Sequence, residues 1–194
     1  KSLTYLIPIY DAVLKSNPSD PKVRAIIVYP MNALVNSQFE ALNRYKKQYK
    51  ERTGKECPIV FEKYTGQENE EFKTRVQQNP PHILLTNYVM LELMLIRPEE
   101  HTFVDAATSG IQFLVMDELH TYRGRQGADV ALLIRRLRER CGNPNLLCIG
   151  TSATMIADRS STAFARREIV AKFASTIFGT ALEPENIIEE SLRR

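Results

Sequence analysis

Asp117 and Glu118 directly follow the apolar run Phe113–Met116 (FLVM), so two carboxylates surface where a buried segment ends. One of them can hold Mg²⁺, directly or through water, because that ion keeps several waters and takes only one or two protein oxygens. The other can orient and activate a water for attack on a phosphoryl group. His120 is placed to sense the phosphate side and pass its state on by hydrogen bonding. An Asp-Glu pair alone more often just caps a helix, so the surrounding pattern carries the weight. Lys1-Ser2 precede the apolar helical stretch LTYLIPIYDAVL. Such a pair at a helix start matches the tail of the phosphate-binding loop GxxxxGK[ST], whose Lys reaches the β/γ phosphates and whose hydroxyl ligates Mg²⁺. The glycines of that loop would precede Lys1, so the chain is expected to begin inside the loop. Ser152-Ala153-Thr154 offer two hydroxyls on a small-residue turn that can bond an acidic loop on a neighbouring strand. An ordinary Ser/Thr turn is the simpler reading of that segment in isolation.

These groups need a frame. Candidate strands are Ala25–Tyr29, Ile59–Glu62, Ile83–Thr86, Phe113–Met116 and Leu146–Gly150. Most are continuous apolar runs, the pattern of strands buried on both faces of a parallel sheet. Helical periodicity covers Ala33–Arg52 and Gly127–Cys141, with Gly142 and Pro144 ending the latter. A further helix is expected in the tail, stopped at Gly179. Alternating strands and helices predict an α/β fold of repeated βαβ crossovers, a parallel sheet sandwiched between helices. Ligands of such sheets gather beyond the carboxyl ends of the strands. The residues there are Pro30-Met31-Asn32-Ala33, Thr65-Gly66, Asn87-Tyr88, Asp117–His120 and Thr151–Thr154, so polar or small groups from all five ends should meet along one edge.

Composition narrows the class without choosing a function. The 194 residues fit one domain, and 43% hydrophobic with 25% charged residues is ordinary for a globular chain. The net charge of +3 does not by itself announce nucleic acid. No apolar run reaches the roughly 20 residues needed to cross a bilayer, and no membrane partner is expected. Cys57, Cys141 and Cys148 form no CxxC pair, which suggests neither a zinc site nor a disulfide framework and favours a cytoplasmic location. Arg123, Arg125, Arg135, Arg136, Arg138 and Arg140 either meet a phosphate backbone or form a solvated helix face, readings of about equal weight.

Taken together, the motifs resemble the first motor domain of a superfamily-two DEAD/DEAH-box helicase. Lys1-Ser2 resemble the end of motif I, YPMNALVNSQ (Tyr29–Gln38) motif Ia, and Thr65-Gly66 with Thr86-Asn87-Tyr88 motif Ib and its companion. Asp117-Glu118-Leu119-His120 matches motif II, and Ser152-Ala153-Thr154 motif III. YPMNAL, TNYVMLELML and DELHTYRGRQGADVALLIRRL are similar to large bacterial Lhr-like, mitomycin-repair-like and phage-defence helicases.

The resemblance implies a RecA-like P-loop domain using ATP and Mg²⁺ to move on nucleic acid, DNA rather than RNA. Lys1 and Ser2 would bind ATP, Ser2 and Asp117 would hold Mg²⁺, and Glu118 would be the catalytic base. His120, Ser152 and Thr154 would couple hydrolysis to movement. Pro30, Asn32, Thr65, Gly66, Thr86 and Asn87 would line the path of one strand, mostly through its phosphates. Residues 1–194 would form this ATP-binding domain, truncated within the P-loop, with an exit segment from about 180 to 194 toward a second motor domain. The isolated chain would hydrolyse ATP negligibly. The alternatives are a non-hydrolysing helicase-like module that binds nucleic acid or protein, and, less well matched, another P-loop phosphohydrolase.

Overall fold

Ala25–Tyr29 is buried at every position, and it forms the central strand β1 of a five-stranded sheet. The computed structural model describes residues 2–17, 19–20, 22–152 and 162–189. The other strands are β2 (Phe61–Tyr64), β3 (Ile83–Asn87), β4 (Phe113–Met116) and β5 (Leu147–Gly150). All pairings are parallel, in the order β2-β3-β1-β4-β5.

Alternate residues of the central strands enter opposite cores, as the two-residue period of a strand requires. Ile26, Val28, Leu84, Leu114 and Met116 face one apolar cluster, while Ala25, Ile27, Tyr29, Leu85 and Val115 face the other. The second cluster is closed by α1 (Ser2–Lys15) through Tyr5, Leu6, Ile9 and Val13, and by α2 (Asn32–Thr53) through Val35 and Leu42. The first is covered by α3 (Glu70–Gln78), α4 (Tyr88–Ile96), α5 (His101–Thr108), α6 (Gly124–Cys141) and α7 (Ala163–Phe178). The expected helix–sheet–helix sandwich is therefore observed. No described helix is long and apolar enough to cross a membrane.

Several boundaries differ from expectation. β2 begins at Phe61 rather than Ile59, because the Val60 amide donates to Nδ1 of His82 (3.0 Å) instead of entering the ladder. It continues to Tyr64, which pairs with Thr86. β5 starts at Leu147, one residue late, and α6 starts at Gly124, three residues early. Gly142 and Gly179 end their helices in the left-handed conformation, as expected, each returning its amide to the preceding turn.

The connections leave β1 and β4 in opposite directions, β1 toward β2 and β4 toward β5. That reversal opens a crevice at the carboxyl ends of these adjacent strands, the usual ligand position in an open α/β sheet.

Candidate functional site

The parallel register sets the carboxyl-end residues at one level. Tyr29 pairs with Asn87, and Met116 pairs with both Val28 and Gly150, so Asp117 and Thr151 emerge side by side. The Thr151 hydroxyl donates to Asp117 Oδ1 and lies 3.4 Å from the Glu118 amide, which donates to it. The Leu119 amide closes the same junction onto the Thr151 carbonyl at 2.7 Å. Thr151 belongs to the strand-end residues expected at this edge but has no role assigned from sequence, and it is the direct partner of the acidic loop. Its signal was positional: it is the first hydroxyl after a strand paired with β4.

Glu118 has φ 50° and ψ 50°, and among the described residues it is the only non-glycine at positive φ. For an L-residue that conformation costs about 1–2 kcal/mol. Main-chain bonds hold it in place, because the Thr121 amide and hydroxyl both donate to its carbonyl, at 2.9 and 2.8 Å. Glu118 Oε2 is buried without a hydrogen-bond partner among the described residues, although His120 Nδ1 is 3.2 Å away. That nitrogen shares its hydrogen bond with the Ser152 hydroxyl (2.9 Å), in a direction set by the imidazole tautomer. A carboxylate oxygen held in a strained turn with unused accepting capacity is suited to receiving a proton from a water.

Across the crevice, Ser2 begins α1 and donates from Oγ to Gln38 Oε1 of α2 (3.0 Å). The hydroxyls of Tyr5 and Tyr29 lie 3.3 Å apart beneath it. Burial raises the Tyr5 phenol above its ordinary range, partly offset by its bonds to Tyr29 and Ser2, with the charge of Asp117 adding to the rise. Burial, its pairing with Tyr5 and the charge of Asp117 raise Tyr29 as well. The neutral phenols of Tyr5 and Tyr29 thus neighbour both Ser2 and Asp117, and the negative charge here comes from the carboxylates. Lys1, Ala153 and Thr154 lie outside the described residues.

A groove of about 610 Å³ runs beside this crevice over the ends of β1, β2 and β3. Pro30, Met31 and Asn32 line one side, Thr65 and Gly66 another, and Asn87 with Tyr88 its floor. Asn87 joins these segments: Nδ2 donates to Asn32 Oδ1 (2.6 Å) and to the Thr65 carbonyl (3.3 Å), while Oδ1 caps α4 by accepting from the Met90 amide (2.7 Å). Gly66 has φ 84°, which favours glycine, and a Cβ there would come within 3.3 Å of Met90 Sδ, which would have to shift slightly. Thr86 does not line the groove. It is fully buried, and its hydroxyl donates to the Tyr64 carbonyl (2.6 Å), binding β2 to β3. Lys73 and Arg97 do line it, and neither stood out in the sequence because each is a single cation.

Most of the arginine-rich helix is occupied structurally. Arg135 and Arg138 donate to the Thr176 and Phe178 carbonyls at the end of α7, and Arg140 pairs with Asp105 at 2.8 Å. For these three, the structure gives neither alternative: each is engaged by another part of the fold.

The profile of the DEAD/DEAH box helicase family matches residues 1–162. The chain is 41% identical over 113 residues to the Druantia protein DruE of Escherichia coli, covering 53% of this chain and 6% of DruE. It is 33% identical over 159 residues to the uncharacterized ATP-dependent helicase YprA of Bacillus subtilis, covering 80% of this chain and 19% of YprA. Its fold is similar to the DUF1998 helicase MrfA bound to DNA and AMPPNP, with TM-score 0.72 and 26% identity over 93% of this chain and 22% of MrfA. The chain therefore spans less than a quarter of each of these three relatives.

Proposed function

Because the chain belongs to the DEAD/DEAH box helicase family, we propose that it is the ATP-binding motor half of an ATP-dependent DNA helicase or translocase. The carrying observation is the crevice between β1 and β4, where Glu118 presents, beside Asp117, a carboxylate oxygen with no hydrogen-bond partner among the described residues. ATP occupies that crevice with its phosphates toward Ser2 and the acidic loop. Lys1 is assigned to the β/γ phosphates on its motif alone.

Asp117 and Ser2 would hold Mg²⁺ through a carboxylate and a hydroxyl oxygen, a donor set that suits an ion keeping most of its waters. When bound, Mg²⁺ would supply positive charge that offsets the negative charge of the phosphates. The Thr151 hydroxyl holds Asp117 in position by donating to it. Glu118 orients a water in line with the γ-phosphorus and takes up its proton as the new P–O bond forms and the bond to the β–γ bridging oxygen breaks. His120 and Ser152 connect that loop to the end of β5, so a change around the γ-phosphate reaches the segment leading to Thr154.

The groove over β1, β2 and β3 takes a nucleic-acid strand. Its main-chain amides, small polar side chains and two cations suit phosphate contacts with little sequence preference. DNA is favoured by the similarity to MrfA, a structure bound to DNA that matches nearly the whole chain. A second motor domain of the same protein completes the ATP site, and the free thiols of Cys57, Cys141 and Cys148 suit a reducing cytoplasm. The test is Mg²⁺-dependent ATP hydrolysis by the full-length protein with and without single-stranded DNA. Stimulation by the strand is expected, and nucleotide binding without turnover under either condition would favour a non-hydrolysing module.

A further inference from the structure

The turn after β2 already holds an anion, and the anion is part of the chain. Glu68 Oε2 accepts from the Thr65 amide (2.8 Å) and the Gly66 amide (3.0 Å), while Oε1 accepts from the Thr65 hydroxyl (2.8 Å). The positive φ of Gly66 lies within this turn, and successive amides aimed at one point form a nest that binds oxyanions generally. Thr65 and Gly66 both line the groove, and so do Lys73 and Arg97. A phosphodiester presents the same chemistry as the carboxylate, a pair of anionic oxygens for a cluster of N–H and O–H donors.

Glu68 is also free to leave. It precedes Asn69, whose side chain caps α3 by accepting from the Phe72 amide (2.9 Å), so the helix keeps its start when Glu68 rotates away. The nest itself is anchored from behind, because Tyr64 donates to buried Glu100 (2.9 Å) and Gln77 donates to the same carboxylate (3.0 Å). A fixed nest with a detachable internal anion is the arrangement of a competitor.

We propose that Glu68 is an internal phosphate mimic: its carboxylate fills the Thr65–Gly66 nest in the free protein and is displaced by a phosphate of the bound strand. This rests on the groove being a strand path. It implies that strand affinity is held down by an intramolecular contact, which favours release during movement over tight static binding.

The test compares wild type, Glu68→Gln and Glu71→Gln in the full-length protein, using fluorescein-labelled oligo-dT and fluorescence anisotropy. Glu71→Gln changes net charge equally from an exposed position in the first turn of α3. Glu68→Gln should tighten strand binding about fivefold by weakening a charge-assisted contact, while Glu71→Gln should change it less than about twofold. Hydrogen exchange gives a second readout in Glu68→Ala: the Thr65 and Gly66 amides should exchange faster in the free protein and regain protection with the strand bound. Unchanged or weaker binding by Glu68→Gln, with wild type binding normally, overturns the competitor and leaves the strand path standing. Failure of both wild type and Glu68→Gln to bind overturns both.

Discussion

The hydroxyl of Thr151 donates to Asp117 Oδ1, joining the ends of β5 and β4 through the carboxylate proposed to face Mg²⁺. This contact makes the position of Asp117 depend on the position of β5. Thr151→Val keeps the shape and removes the donor. It should lower stability by about 1 kcal/mol and raise the Mg²⁺ concentration giving half-maximal ATP hydrolysis. Metal titration of the steady-state rate checks the second effect, and denaturant unfolding the first.

Ser152 has a different task. Its bond with His120 Nδ1 runs from the acidic loop to the segment after β5, and neither group is proposed to touch the attacking water. Ser152→Ala should therefore leave strand-stimulated hydrolysis within about threefold, less than the loss of a direct transition-state contact. Duplex unwinding should fall by a larger factor. Parallel measurement of both rates on one preparation distinguishes uncoupling from general damage.

Asn87 holds the groove floor together and also caps α4. Asn87→Ala should cost about 1–2 kcal/mol, as the loss of a helix cap generally does, and should weaken strand binding through Asn32. Unfolding midpoints and anisotropy titrations report the two losses separately.

Burial raises the phenols of Tyr5, Tyr29, Tyr64 and Tyr122, and pushes Tyr10 up to about 12. Above the ordinary tyrosine value of 10.0, the unfolded chain releases these protons while the folded chain keeps them. The unfolded state then binds fewer protons, so stability falls as pH rises, by up to about 1.4 kcal/mol per pH unit for each such group. The stability is fully present below pH 10 and is lost progressively above it. Phenolate absorbance should show these five ionising together with global unfolding, and ionisation of all eight tyrosines before unfolding contradicts the burial.

Legibility in the sequence followed burial. AIIVY and FLVM announced β1 and β4 because both faces of each strand are covered. FEKY did not announce β2, since Glu62 and Lys63 are only partly buried and the stronger apolar signal lay two residues earlier in Ile59-Val60. The run at β5 reads as interior, yet Leu147 is 52% exposed at the sheet edge. α4 was obscured because YVMLELMLI is apolar nearly all round and has no face to detect. The placement of Asp117, Glu118, His120 and Ser152 at the carboxyl ends of β4 and β5 could be read from residue type and strand order. The bonds from Thr151 and Glu68 could not, because each depends on a loop conformation that brings together side chains of unremarkable type.

The role of Glu118 as base is tested most directly by Glu118→Gln in the full-length protein, with ATP binding and single-turnover hydrolysis measured on the same sample. Gln preserves the size of the side chain while removing its capacity to take a proton. Nucleotide affinity should stay within about threefold of wild type, and hydrolysis should fall by at least about 10²-fold. Hydrolysis near the wild-type rate would contradict this and remove Glu118 from the role of base.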